Sequence, residues 1–148
     1  MKTAKDIVES KGKQVWSISP KAKVFDALKL MSEKSIGALM VMDEKGAVHG
    51  IISERDYARK IILLGKSSKE TLVEEIMTPE DKMVFIKPEG TVEDCMVVMT
   101  GKHIRHLPVC EGGKFAGLVS IGDVIKSLLS EKEDLIEQLS NYIAGKYM

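Results

Sequence analysis

The chain contains itself twice. The segment from Ile18 to Met31 lies over Ile86 to Met99 at an offset of 68, with Ile18/Ile86, Pro20/Pro88, Val24/Val92, Asp26/Asp94 and Met31/Met99 identical. The register continues through Lys34/Lys102, Ile36/Ile104, Leu39/Leu107 and Val41/Val109. One residue is then lost at a turn, and at an offset of 67 the identities resume as Gly46/Gly113, Gly50/Gly117, Ser53/Ser120 and Asp56/Asp123. A single deletion at a glycine-bearing turn is what a structural repeat shows, because loops absorb length changes that strands and helices do not. Any fold for this chain must use one supersecondary unit twice.

Each copy reads alike. A short strand (15–18; 83–86) meets a proline turn and then an amphipathic helix (24–34; 92–102). An apolar strand follows (38–42; 106–110), then a tight glycine turn, a second strand (48–53; 115–120) and a helix starting at Glu54 or Ile121. The order β-α-β-β-α places both helices on one side of a three-stranded sheet, an α+β layer that buries one face. A unit of about 60 residues is marginal alone, so two are expected to cover each other. The expected division is 1–68, with an N-terminal helix and the start of the linker, and 69–148, with a linker helix at 72–76 and a C-terminal helix.

Composition excludes several functions. Lys plus Arg equals Asp plus Glu at 22 each, so no basic field draws nucleic acid or anionic lipid. The start, from Met1 to Lys13, has no apolar h-region, and no window approaches the roughly 18 apolar residues of a membrane span. The two cysteines, Cys95 and Cys110, make no disulfide framework and point to a reducing, cytoplasmic setting. Cys95 shares a helical stripe with Val92, Met96 and Met99 and reads as a core thiol.

Gly50-Ile-Ile-Ser-Glu-Arg-Asp56 and Gly117-Leu-Val-Ser-Ile-Gly-Asp123 resemble the Gly-h-h-Ser/Thr-x-x-Asp signature of CBS domains, where h is apolar. Ile104-Arg-His-Leu-Pro-Val109 is similar to that family's strand entry, and the resemblance runs from Val15 to about Leu129. More narrowly, the chain looks like stand-alone CBS-pair proteins. The resemblance implies pseudo-twofold packing of the repeats, with clefts between them that take AMP, ADP, ATP, NAD or S-adenosylmethionine. It implies a homodimer and regulation in trans of a partner protein, with AMP the leading ligand.

Candidate residues follow from the repeat and the resemblance together. Ser53-x-x-Asp56 and Ser120-x-x-Asp123 fit helix capping boxes. An ionised carboxylate also offers two acceptor oxygens to a ribose diol, so Asp56 and Asp123 can cap and read sugar at once. Gly50 and Gly117 mark close backbone approach on a strand. Phosphate needs cations: Arg105, with its planar fork, and His106 lead, with Arg55 and Arg59 behind them. Arg105-His106 corresponds to Gly37-Ala38 in the first repeat, so the two sites cannot be equivalent. Adenine is expected against Trp16 and Ile18 at one site and Val84 and Ile86 at the other, with Ile104 and Pro108 framing the strand entry. Trp16 reads first as a core or lid plug.

The rival readings have less behind them. His49, His103 and His106 form no catalytic order with Ser or Cys, and there is no phosphate loop or dinucleotide fingerprint. A metal set from Cys95, His103, His106 and Cys110 fits no ligand spacing. A protein-interaction module with weak or empty clefts is the main alternative. Its support is an apolar stripe of Ile125, Leu128, Leu129, Leu135, Ile136, Leu139 and Ile143 in the segment from Ile121 to Tyr147.

Overall fold

The computed structural model describes residues 2–12 and 15–144. In chain order its elements are α1 (Ala4–Ser10), β1 (Ser17–Ile18), α2 (Val24–Lys34), β2 (Ala38–Met42), β3 (Val48–Ser53), α3 (Glu54–Tyr57) and α4 (Val73–Ile76). They continue as β4 (Thr78–Pro79), α5 (Val92–Lys102), β5 (His106–Glu111), β6 (Lys114–Ser120) and α6 (Ile121–Ile143). Of the described residues, 15–84 form one compact unit, and 2–12 with 85–144 form the other.

In the unit of residues 15–84 the sheet order is β1-β2-β3-β4, with β1 parallel to β2 and the other pairs antiparallel. Val24, Ala27 and Met31 recur at helical spacing on α2 and are buried against Leu39, Val41 and Ile52 of the sheet. Ile61, Val73 and Ile76 close the same core. Leu39, Ile52, Ile61 and Ile76 are almost wholly removed from water, each contributing about 1.5–3 kcal/mol of transfer free energy. Directly after α3 the chain winds one π-helical stretch, Ala58–Ile62, which carries Ile61 into this core.

The other unit repeats the plan with Val92, Cys95 and Met99 of α5 buried, as are Leu107, Val109 and Val119. Both helices stop in the same way: Ser35 after α2 and His103 after α5 are left-handed, each at φ 55°. His103 is thereby the C-cap of α5, two turns beyond Cys95, while Cys110 lies on β5.

Two features differ from the sequence expectation. Residues 83–86 form no strand. Only Ile86 bridges in parallel to Val109, because a 3₁₀ turn at Glu80–Lys82 precedes the segment and the turn at Pro88 follows it. The first repeat has four strands rather than three, since β4 pairs with Gly50 and Ile51 of β3.

The helices that precede each repeat pack in a matching way, α1 within the compact unit of residues 85–144 and α4 within that of 15–84. The hydrogen bonds are the same in both. Ala4 N donates to Gly90 O and Lys5 N to Pro88 O; Val73 N donates to Ala22 O and Glu74 N to Pro20 O. Val92 N donates to Lys2 O as Val24 N does to Thr71 O. A β carbon would intrude at both strand glycines, on Val8 of α1 at Gly117 and on the Thr78 carbonyl and the Met77 side chain, just past α4, at Gly50. The repeat therefore extends into α1 and α4, with each helix completing the repeat it does not lead into.

Helix α6 continues well past the second repeat. Val124 is its one buried residue, while Ile125, Leu129, Leu135, Ile136, Leu139 and Ile143 are exposed. The end of the predicted segment at Tyr147 lies outside the described residues. No helix among the described residues is long and apolar enough to cross a membrane.

Candidate functional site

The two strand-to-helix junctions hold the repeated carboxylates, and backbone pairing builds each one. At the start of β5, His106 sits opposite Ser120, the last residue of β6, and Ile121 N donates to Arg105 O at 2.8 Å. In the first repeat Ala38 sits opposite Ser53, and Glu54 N donates to Gly37 O at 3.0 Å. The register thus brings together Arg105, His106, Ser120 and Asp123 in one unit, and Gly37, Ala38, Ser53 and Asp56 in the other.

Both Ser-x-x-Asp elements are complete capping boxes. Asp123 N donates to Ser120 Oγ at 3.1 Å, and Ser120 N donates back to Asp123 Oδ2 at 2.9 Å. Asp56 N donates to Ser53 Oγ at 3.3 Å, and Ser53 N returns to Asp56 Oδ2 at 2.9 Å. The box fixes each carboxylate at its junction through one oxygen. A carboxylate has about four lone-pair positions, so capping leaves acceptor capacity for a diol.

Neither carboxylate stands alone, because each has a lysine beside it. Lys11, just beyond α1, donates from Nζ to Asp123 Oδ2 at 2.9 Å and to Leu118 O at 3.0 Å. Lys60 lies 3.6 Å from Asp56 Oδ1 and donates to Ile76 O at 2.8 Å. Lys60 was legible only as an i,i+4 neighbour of Asp56. Lys11 lies outside every motif, and no sequence signal pointed to it.

The electrostatics follow from this packing. Burial alone would raise Asp123, but the Ser120 amide and then Lys11 outweigh it and hold the carboxyl below its ordinary value. Burial lowers His106, Lys11 and Arg105 lower it further, and only Asp123 opposes them. His106 therefore sits half-buried and biased to the neutral form. Arg105 is exposed at the mouth of the strand.

The remaining candidates take packing positions. Trp16 packs against the core of its unit with Lys34 Nζ 4.2 Å above its ring, and Ile18 packs there too while pairing with Val41. Pro108 is buried and accepts from Ile86 N; Ile104 N closes the α5 terminus on Met99 O. Val84 is half-buried, Arg55 follows Glu54 on α3, and Arg59 lies on the π-helical stretch behind it. Cys95 is buried and its thiol is pushed up to about 11, first by burial, so it is no nucleophile. Among the described residues no three His, Cys, Asp or Glu side chains gather as metal ligands.

The sequence profile of the CBS domain family matches residues 4–63 and 73–130, both repeats in full. The chain is 42% identical over 152 aligned positions to a mitochondrial CBS domain-containing protein of Arabidopsis thaliana, CBSX3, covering 98% of this chain and 73% of that protein. Its structure is similar to that of a CBS-domain protein from Burkholderia ambifaria MC40-6, with a TM-score of 0.81 and 45% identity over 86% of this chain and 94% of the other. It is also similar to CBSX2 in complex with AMP, with a TM-score of 0.72 and 25% identity over 89% of this chain and 99% of that one.

Proposed function

The chain belongs to the CBS domain family, and on that premise we propose that it is a regulatory module that binds an adenine nucleotide, AMP first, through Asp56 and Asp123. The observation that carries the reading is the duplicated junction. One structural need, a helix cap, would be met by any Ser, Thr, Asn or Asp pattern. Here both repeats keep the same Ser and the same Asp behind a closely approached glycine. The AMP complex of the similar CBSX2 supports an adenosine ligand. ADP, ATP, NAD and S-adenosylmethionine share the ribosyl-adenine part and are the alternatives.

Arg105 and His106 are assigned to phosphate at the Asp123 junction, with Arg55 serving the other. The two sites differ, because Gly37 and Ala38 stand where the second repeat has that pair. The module performs no catalysis of its own in this reading and acts in trans on a partner protein in the cytoplasm. It does so as a homodimer joined through the exposed stripe of α6. A ligand that binds only the folded chain raises its stability, by about 2.7 kcal/mol at a hundredfold excess over Kd. Thermal melts with AMP, ADP, ATP, NAD and S-adenosylmethionine test this: AMP should raise the midpoint most, and no shift with any of them refutes nucleotide binding.

A second reading rests on α6 alone. Leu135, Ile136 and Leu139 are each more than half exposed, which suits a docking helix whether or not a nucleotide binds. A dimer whose melting point ignores all five ligands would favour it.

A further inference from the structure

The two repeated carboxylates carry the same kind of partner, delivered from different places. Lys11 reaches Asp123 from the end of α1, and Lys60 reaches Asp56 from one turn further along its own helical segment. The positions are not equivalent. Pairing α1 with α4 through Ala4/Val73 and Ile7/Ile76 puts Glu80 where Lys11 would be, and the second repeat has Ser127 in place of Lys60. Each repeat therefore lacks the lysine the other uses, yet both finish with one ammonium at the aspartate. Each ammonium also donates to a backbone carbonyl, Lys11 to Leu118 O beside its hydrogen bond to Asp123, and Lys60 to Ile76 O beside its 3.6 Å ion pair with Asp56. This arrangement exceeds what a capping box requires, since the caps are already closed by Ser120 and Ser53.

We propose that Lys11 and Lys60 are specificity-determining residues that make each site select a ribose carrying a nearby anion over the uncharged nucleoside. The inference rests on the nucleotide-binding reading above. A diol that takes the carboxylate oxygens competes with the ammonium for them. A bidentate diol engages both oxygens, including the one the ammonium faces, so an uncharged nucleoside weakens that ion pair and gives the lysine nothing in return. A nucleotide offers the ammonium a phosphate oxygen, and the carbonyl acceptor keeps the amine at the junction while it turns. The lysines are well suited to such a swing. Lys11 and Lys60 side chains are 39% and 42% exposed, and an ammonium on a flexible stem redirects its donors more readily than a planar guanidinium.

The test is calorimetric titration of the full chain with AMP and with adenosine, for the unmodified protein, Lys11→Met and Lys60→Met. Methionine keeps the apolar stem and removes the competing charge. Adenosine affinity should rise and AMP affinity fall or hold, so that the AMP-to-adenosine ratio drops about tenfold or more at the affected site. Lys11→Arg should retain most of the ratio, and pairing Lys11→Met with Asp56→Ala isolates the Asp123 site if Lys11→Met alone gives mixed isotherms. If the unmodified protein binds AMP but neither methionine variant changes the ratio, or both ligands weaken equally, the lysines are merely structural and this inference fails alone. If the unmodified protein binds neither ligand, the nucleotide reading fails and takes this one with it.

Discussion

Val8 lies flat on Gly117, its two γ carbons 2.6 and 2.7 Å from where a β carbon on that glycine would stand. The contact holds α1, and with it Lys11, against β6. Gly117→Ala should therefore cost about 1–3 kcal/mol through overpacking. The cost should shrink when Val8→Ala is made as well, because the colliding methyl groups are then gone. Chemical denaturation of the four proteins in that cycle checks this. Additive losses would mean that α1 does not dock through this pair.

Asp56→Ala and Asp123→Ala should each weaken AMP binding at one site by about 1.5–3 kcal/mol, roughly tenfold to a hundredfold. Each also removes half of a capping box, so far-ultraviolet circular dichroism must accompany the calorimetry. A folded double variant with unchanged AMP affinity would remove ribose recognition from both aspartates.

His106 sets a pH dependence whose sign is fixed by its surroundings. Its folded pKa is lowered, first by burial, so the folded chain resists a proton that the unfolded chain accepts. Its contribution is constant above the unfolded value of about 6.5 and falls as pH drops below it, levelling only under the folded pKa. His106→Gln should lose less melting temperature than the unmodified protein between pH 7 and mildly acidic buffer, with about 6.5 as the onset. Any AMP gain from a protonated His106 would appear below that onset. Parallel melting curves for the two proteins would contradict the assignment.

The exposed face of α6 predicts a homodimer in solution. Leu135→Glu with Leu139→Glu places charge on that face without touching the buried Val124, so the fold should survive and the sedimentation mass should halve. A one-chain mass for the unmodified protein would end the idea. A dimer that ignores both substitutions would move the interface to another surface.

Much of this was legible in the sequence, for a physical reason. Helices α2 and α5 start and end where their apolar spacing does, and β2 and β3 keep their expected limits, because local periodicity and burial point the same way there. The junction pairs Ser53/Asp56 and Ser120/Asp123 were visible because a cap is a local device. The segment at 83–86 failed because only Ile86 bridges to a neighbouring strand, between the 3₁₀ turn at Glu80–Lys82 and the turn at Pro88. The docking of α1 and α4 was hidden because only Ile7/Ile76 is identical between them, and glycine on the covered strand signals close approach without naming what approaches. Lys11 was hidden for a related cause: its partner lies 112 positions away, and nothing in its own neighbourhood marks it.

The assignment of α1 to the far end of the chain has a consequence for synthesis. Residues 15–84 are contiguous and can complete their sheet while the ribosome is still making the rest. The opening helix cannot. Its hydrogen-bond acceptors at Pro88 and Gly90 and its seat on Gly117 are translated much later, so Ile7 and Val8 wait in water until β6 emerges. Closure is then a long-range event of the slow kind. The order of translation thus leaves the Asp56 half built first, and the Asp123 half is finished only when the two distant parts of the chain meet.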